Sequence, residues 1–256
     1  MATSGTQAID RAAELLSLVV LADEPRAFSD LVSDTGLAKS TASRLLQALE
    51  RHRLVHKADD GYEAGPLFAL YASRHEPDDE LIWLAQPALE ALGRATGETV
   101  NLAIVRHNAV VQIAQIDATF LLGTTNWVDI DVPPHCSALG KVFYASGVIP
   151  LPRATMERRT DRTVTDPAQL ARECEQIHKA GFATALGELE VGLDAVAAPV
   201  LDRGGNVVAA VGLSGPSDRI GKELRPLGTL LRKHAQALSE ILGYAAHDQT
   251  RKEGAA

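Results

Sequence analysis

The first part of the chain shows apolar and polar positions at helical spacing. Between residues 7 and 22 the apolar side chains recur every three or four positions, which predicts an amphipathic helix. A shorter pattern begins at Ser29, the expected N-cap, and ends before Gly36. Over residues 40–52 the helical spacing returns. A helix, a short helix, a tight turn and a longer helix in this order predict a helix-turn-helix.

The polar face of the third predicted helix carries side chains suited to DNA. Hydroxyls, amides and cations donate to phosphate oxygens and base edges, and a helix that bears them fits a major groove. We expect Arg44 and Gln47 to read base edges, and Lys39 and the hydroxyls to hold phosphates. The candidate DNA-binding residues are Lys39, Ser40, Thr41, Ser43, Arg44 and Gln47. The alternative is a polar helix face that is merely solvated.

The overall charge of the chain argues against a general affinity for nucleic acid. Its 25 Lys and Arg are outnumbered by 33 Asp and Glu, which gives a net charge of −8. Residues 36–57 are the exception, because this segment contains several basic residues and Glu50 is its single acidic residue. Because nonspecific affinity rises with the number of phosphates neutralised, this local positive charge favours binding at specific sites.

A hairpin directly follows the third predicted helix. Two short runs, 54–57 and 62–64, flank an Asp-Asp-Gly turn. A hairpin in this place is typical of the wing of a winged helix-turn-helix. Pro66 then begins another short helical pattern. We therefore expect a DNA-binding domain over 1–65 and a linker helix over 66–77.

The rest of the chain predicts hairpin-paired strands surrounded by helices. Helices are expected over 78–96, 167–179 and 220–242, and a loop that runs into a helix over 133–145. Strands are expected over 99–105, 109–117, 122–127, 195–201 and 207–213. These elements predict an α+β domain over 78–246, with an antiparallel sheet covered by helices on one or both faces, followed by a flexible tail at 247–256.

Composition excludes several classes of protein. The apolar content of 46% is ordinary, and the longest apolar runs, such as 207–213, are too short to span a membrane. The two cysteines, Cys136 and Cys174, cannot supply a four-ligand zinc pattern. We therefore expect a reduced, cytoplasmic protein with no cofactor, no metal and no membrane partner.

His135 and Cys136 raise the alternative of an enzyme with an accessory helical domain and Cys136 as nucleophile. A catalytic cysteine needs a base within hydrogen-bond reach and an oxyanion donor, and adjacency in sequence shows neither. A zinc site formed with His107 has no supporting spacing. Ser214 is no nucleophile elbow, because Pro216 occupies the position of the second glycine. We favour a protein that is not an enzyme.

Four blocks of the sequence together carry a family likeness. They are TGLAKSTASRLL at 35–46, SALGK at 137–141, VGLDAVAAPVLD at 191–202 and GNVVAAVGLSGP at 205–216. In this order and spacing, over about 7–242, the chain resembles the IclR-family transcriptional regulators.

The resemblance implies a winged helix-turn-helix joined by a linker helix to a GAF-like effector-binding domain. It also implies dimers or tetramers on pseudo-palindromic double-stranded operators, modulated by a small metabolite, and we expect repression over activation. By position, the implied pocket residues are Cys136, Ser137, Ala138, Leu139, Glu188, Asp194 and Ser214. Two alternatives stay open: Glu190 could replace Glu188, and Ser214 either faces the pocket or merely ends its strand.

The start of the helix near Gly140 suggests what the effector is. Backbone amides at a helix N-terminus bind anions, whereas acidic side chains repel them. We therefore expect a small carboxylate held by these amides.

Overall fold

The structure, a computed structural model, describes residues 6–73, 77–120, 126, 128 and 132–244. The chain divides into two compact units, Met1–Asp79 and Glu80–Ala256. Among the described helices, none combines the length and the apolar content needed to cross a bilayer.

The first unit is a helix-turn-helix followed by a hairpin. Its elements are α1 (Gln7–Val20), α2 (Phe28–Thr35), α3 (Lys39–Arg51), β1 (Val55–Ala58), β2 (Gly61–Ala64) and α4 (Pro66–Ala72). Gly36 ends α2 with a φ of 63°, a conformation that costs glycine little. The N-cap prediction for Ser29 is wrong: Ala27 caps α2, and the Ser29 hydroxyl donates to the Asp30 carboxylate.

A small apolar core holds the three helices and the hairpin together. Its buried members are Leu15, Val19, Leu31, Leu46, Leu49, Val55 and Tyr62. The hairpin is tied to the segment before α2, because the backbones of Arg26 and Tyr62 exchange hydrogen bonds of 2.8 and 2.9 Å. Gly61 is needed at the hairpin turn, since a Cβ there would overlap the Arg26 carbonyl. The predicted wing is therefore a three-segment structure.

The second unit contains a five-stranded sheet and its covering helices. Its elements are most of α5 (Pro77–Thr96), β3 (Thr99–Arg106), β4 (Ala109–Ile116), a 3₁₀ turn (Pro134–Cys136), α6 (Ala138–Ala145), α7 (Pro167–Ala180), β5 (Ala183–Leu186), β6 (Leu193–Leu201), β7 (Val207–Pro216), α8 (Ser217–Ile220) and α9 (Leu224–Ile241). Strand β5 was not predicted, and the strand predicted over 122–127 lies outside the described residues except for Asn126.

The sheet is antiparallel throughout, in the order β4-β3-β7-β6-β5. Its two faces bury different helices. Side chains such as Leu102 and Val211 pack with α5 and α9 on one face. On the other face, Ala103 and Ala210 pack with Leu139 and Phe143 of α6. The predicted α+β class with an antiparallel sheet is confirmed, and helices cover both faces.

Candidate functional site

Helix α3 presents its predicted DNA-binding side chains on the face opposite its core contacts. Ala42, Leu46 and Leu49 are buried, at the spacing of one helix face. Of the six candidates, Lys39, Ser40, Arg44 and Gln47 are exposed, and Thr41 and Ser43 are half-buried. The helix therefore offers cations, hydroxyls and an amide together, which is the inventory that phosphate and base-edge contacts require.

A groove between α1 and α3 adds two arginines to this face. Arg11 and Arg51 line it together with Arg44 and Gln47, and no carboxylate does. None of the three guanidinium groups forms an ion pair with another described residue. Arg51 follows Arg44 by two helical turns, so its place on this polar face is evident from the sequence. The place of Arg11 depends on how α1 packs against α3.

The second unit holds a pocket between the sheet and the start of α6. Its empty space is about 500 Å³ including the mouth. Its lining residues are Asn101, Gln112, Val132, Cys136, Ser137, Ala138, Leu139, Ala185, Leu189, Leu193, Ala195, Val196, Gly212, Leu213 and Ser214. None of these described lining residues carries a charged side chain, so what they offer a ligand is backbone dipoles and neutral polar groups.

The structure brings five of the seven predicted effector-binding residues to this pocket. They are Cys136, Ser137, Ala138, Leu139 and Ser214. The buried Asp194 instead accepts a hydrogen bond of 2.8 Å from the Ser217 hydroxyl. Glu188 is buried beside Lys141, and Glu190 is exposed, so neither of these acids lines the pocket.

The first turn of α6 forms one wall of the pocket. Ser137 is its N-cap, and the Ser137 hydroxyl accepts a hydrogen bond of 3.0 Å from the Gly140 amide. Ala138 and Leu139 occupy the first two helical positions, where an α-helix leaves its amides without intrahelical acceptors. A Cβ on Gly140 would overlap the backbone of Pro134, so glycine permits the close approach of the 3₁₀ turn to α6.

Lys141 fixes the other side of α6. Its side chain is 1% exposed, and its ammonium donates to Glu188 at 2.6 Å, to Glu173 at 2.8 Å and to the Thr184 carbonyl at 3.4 Å. Burial raises the pKa of the Glu188 carboxyl, although the Lys141 charge acts in the opposite direction. No role was predicted for Lys141. The available signal in the sequence was a lysine at a position of α6 whose neighbours in the helix are apolar.

Two buried amides, also missed from the sequence, lie on the floor of the pocket. Asn101 on β3 and Gln112 on β4 belong to the sheet face that α6 covers. The alternation of β3 indicated that Asn101 points away from Val100 and Leu102. The sheet face that carries Asn101 is buried because α6 covers it. Since α6 is distant in sequence from β3, the pattern of β3 alone could not indicate this burial.

Cys136 lines the pocket as a neutral thiol. Burial, and to a smaller extent the charge of the nearby Glu188 carboxylate, raises the pKa of the Cys136 thiol from 9.0 to about 11. The thiol donates to the Pro133 carbonyl at 3.4 Å. Since the thiolate is the nucleophilic form, this environment suppresses nucleophilic chemistry near neutral pH.

We expect Cys136 to be alkylated by iodoacetamide far more slowly at pH 7.5 in the native protein than in urea. The pKa of about 11 leaves less than a thousandth of the folded thiol ionised at this pH. Peptide mass spectrometry of a labelling time course measures the two rates, with Cys174 in the same digest as a second buried thiol. Equal native and unfolded rates at Cys136 would contradict the assignment.

A cation-bearing polar helix face, in one chain with a domain whose described pocket lining carries no charged side chain, is the combination expected of a DNA-binding regulator with a ligand-binding domain. Residues 8–59 match the IclR helix-turn-helix domain, and residues 77–240 match the C-terminal domain of the bacterial transcriptional regulator IclR. The chain belongs to the IclR family of transcriptional regulators.

Curated relatives are similar to this chain over most of their length. The chain is 30% identical over 259 residues to the DNA-binding transcriptional repressor YiaJ of Escherichia coli, covering 96% of this chain and 91% of YiaJ. It is 32% identical over 232 residues to the HTH-type transcriptional regulator BhcR of Paracoccus denitrificans, covering 85% and 80%. Its relatives are regulators, and the chain is a DNA-binding transcriptional regulator and not an enzyme.

Solved structures show the same fold. The Agobacterium tumefaciens repressor BlcR has a TM-score of 0.72 at 24% identity, covering 95% of this chain and all of BlcR. An IclR homologue from Microbacterium hydrocarbonoxydans, complexed with 4-hydroxybenzoate, has a TM-score of 0.56 at 24% identity, covering 92% and 99%.

Proposed function

We propose that the protein is a repressor that binds a pseudo-palindromic operator as a homodimer or homotetramer in the cytoplasm. The observation that carries this proposal is the exposed face of α3, whose Arg44 and Gln47 stand beside two further unpaired arginines. The names of YiaJ and BlcR as repressors support repression over activation. Two recognition helices of an oligomer then read half-sites roughly 34 Å apart, or a multiple of that distance.

The functional division that we propose follows the elements. Residues 1–65 bind DNA, residues 66–77 act as the linker helix, and residues 78–246 bind the effector. Helix α4 lies within the proposed linker. A ligand changes operator affinity only through its differential affinity for the DNA-competent arrangement of the oligomer.

The effector we propose is a small carboxylate. Among the described residues that line the pocket none is acidic, and Glu188 and Asp194 make their contacts elsewhere. The α6 N-terminus supplies backbone amides on the pocket wall, which is where an anion is most stable. The complex of an IclR homologue with 4-hydroxybenzoate, an aromatic carboxylate, supports this class of ligand. At saturation such a ligand should shift operator affinity, and no shift would contradict the proposed control.

We expect Arg44→Ala to weaken operator binding by about 1–3 kcal/mol, the range of one good bidentate base contact. Selection from a random duplex pool provides the operator, and fluorescence anisotropy at fixed salt then measures the affinity of each variant. Binding to unrelated DNA should weaken less, because only the operator offers the specific contact.

Arg172→Ala is the matched control for this substitution. Arg172 is an exposed arginine on α7, so its removal changes the net charge equally without touching α3. Operator affinity of Arg44→Ala equal to that of Arg172→Ala would overturn the assignment of Arg44.

A further inference from the structure

Gln112 is the unusual polar residue of the pocket. It is 6% exposed, and its Oε1 is buried without a hydrogen-bond partner. Among the described pocket-lining side chains, no other has a buried nitrogen or oxygen in this condition. Leaving a buried acceptor unpaired is costly, whereas an apolar side chain of the same size would avoid the cost.

The polar neighbours of Gln112 make their hydrogen bonds with other groups. The Asn101 amide donates to Gln115 at 3.0 Å, and Gln115 donates to Asp117 at 2.6 Å. At the wall, the Ser137 hydroxyl accepts a hydrogen bond from the Gly140 amide. In the described structure no donor reaches the Gln112 acceptor.

The sheet positions Gln112 on the same floor as the other pocket groups. It pairs with Ala103 of β3, and Asn101 of β3 lies opposite Gly212 of β7. Gly212 has no side chain, and a Cβ there would come within 3.0 Å of Leu139 in the first turn of α6. The amide on the floor and the helix N-terminus on the wall thus belong to one pocket.

We propose that Gln112 is a specificity-determining residue that selects an effector with a hydroxyl group in addition to its carboxylate. The hydroxyl donates to Gln112 Oε1, and the carboxylate accepts from the amides at the start of α6. This inference rests on the proposed carboxylate effector and adds the second polar group. A site built to hydrogen-bond a hydroxyl rejects the analogue that lacks it, because the buried acceptor is then left unpaired.

The test compares matched ligands by calorimetry on the full chain. The pairs are lactate with propionate, 4-hydroxybutyrate with butyrate, and 4-hydroxybenzoate with benzoate. We expect the hydroxylated member of at least one pair to bind tenfold or more tightly than its partner. In Gln112→Met this preference should fall to within threefold. Gln176→Met, an exposed position on α7, should keep the preference.

A thermal melt of the ligand-free variants separates this role from a structural one. Removing an unpaired buried group should leave the melting temperature of Gln112→Met equal to or above that of the unmodified protein. A glutamine retained for structure would instead lower it on substitution. A lower melting temperature, or a hydroxyl preference that survives in Gln112→Met, overturns the inference.

The two levels of the proposal fail in different ways. If carboxylates bind but no hydroxylated member is preferred, the role of Gln112 is wrong and the carboxylate effector stands. If no carboxylate binds in any pair, the proposed effector class is wrong and the inference falls with it.

Discussion

Replacing Lys141 with alanine should lower the free energy of unfolding of the second unit by about 3–5 kcal/mol, the range measured when one partner of a buried ion pair is removed. The ammonium is 1% exposed and is shared by Glu188 and Glu173. Without it, both carboxylates stay close together with no cation between them. The loss comes mainly from the charges left behind.

Differential scanning calorimetry of the full chain measures this effect. Lys179→Ala is the control, because Lys179 is exposed on α7 and surface substitutions usually change stability by less than about 0.5 kcal/mol. If Lys141→Ala and Lys179→Ala melt alike, the buried ion pairs contribute nothing and this account of α6 is wrong.

Glu188→Gln tells whether the cost arises from the charges. Burial raises the pKa of Glu188, so the folded protein holds this proton more tightly than the unfolded chain. The stability that the proton contributes is present below the unfolded pKa and is lost as the pH rises through the folded pKa. At neutral pH the glutamine removes a buried negative charge, and Lys141 keeps Glu173. We therefore expect a much smaller loss than for Lys141→Ala.

The first unit could be predicted from the sequence because its signals are local. Gly36 at a turn, the helical spacing of Ala42, Leu46 and Leu49, and an Asp-Gly turn each specify a conformation within a few residues. The same kind of signal identified α7, where Asp166 caps the N-terminus and Gly181 ends the helix at a φ of 74°. Strand β5 escaped prediction because Ala-Thr-Ala-Leu is short and is a strand only through its pairing with β6.

The pocket shows where sequence reasoning ends. Similarity of position pointed to the loop before α6 and to Ser214, because both lie in contiguous motifs, and in the structure both line one pocket. It could not give the direction of Glu188, which is determined by an ammonium 47 positions away in sequence. Similarity of position could not identify Gln112 either. Its buried Oε1 has no hydrogen-bond partner, and this is known only when the surrounding residues of the pocket are known.

Gly140→Ala provides a test in which two physical effects predict opposite signs. Alanine is the better helix former by roughly 0.8–1 kcal/mol, so helix propensity alone predicts a more stable protein. The structure predicts the reverse, because the added Cβ would overlap the backbone of Pro134. Backbone cannot rotate away as a side chain can, so we expect a net loss of about 1–3 kcal/mol, as for other overpacked sites.

The same substitution should weaken ligand binding, because relief of the overlap moves the 3₁₀ turn away from α6 and displaces the Ser137 cap. Thermal melts and calorimetry with the carboxylate that binds the unmodified protein measure both effects. Gly147→Ala is the matched control: this glycine has a φ of 75° and open space around it, so alanine there meets backbone strain of about 1–2 kcal/mol without overlap, and binding should be retained. A stabilised Gly140→Ala with intact binding would show that the turn and α6 do not need this close approach.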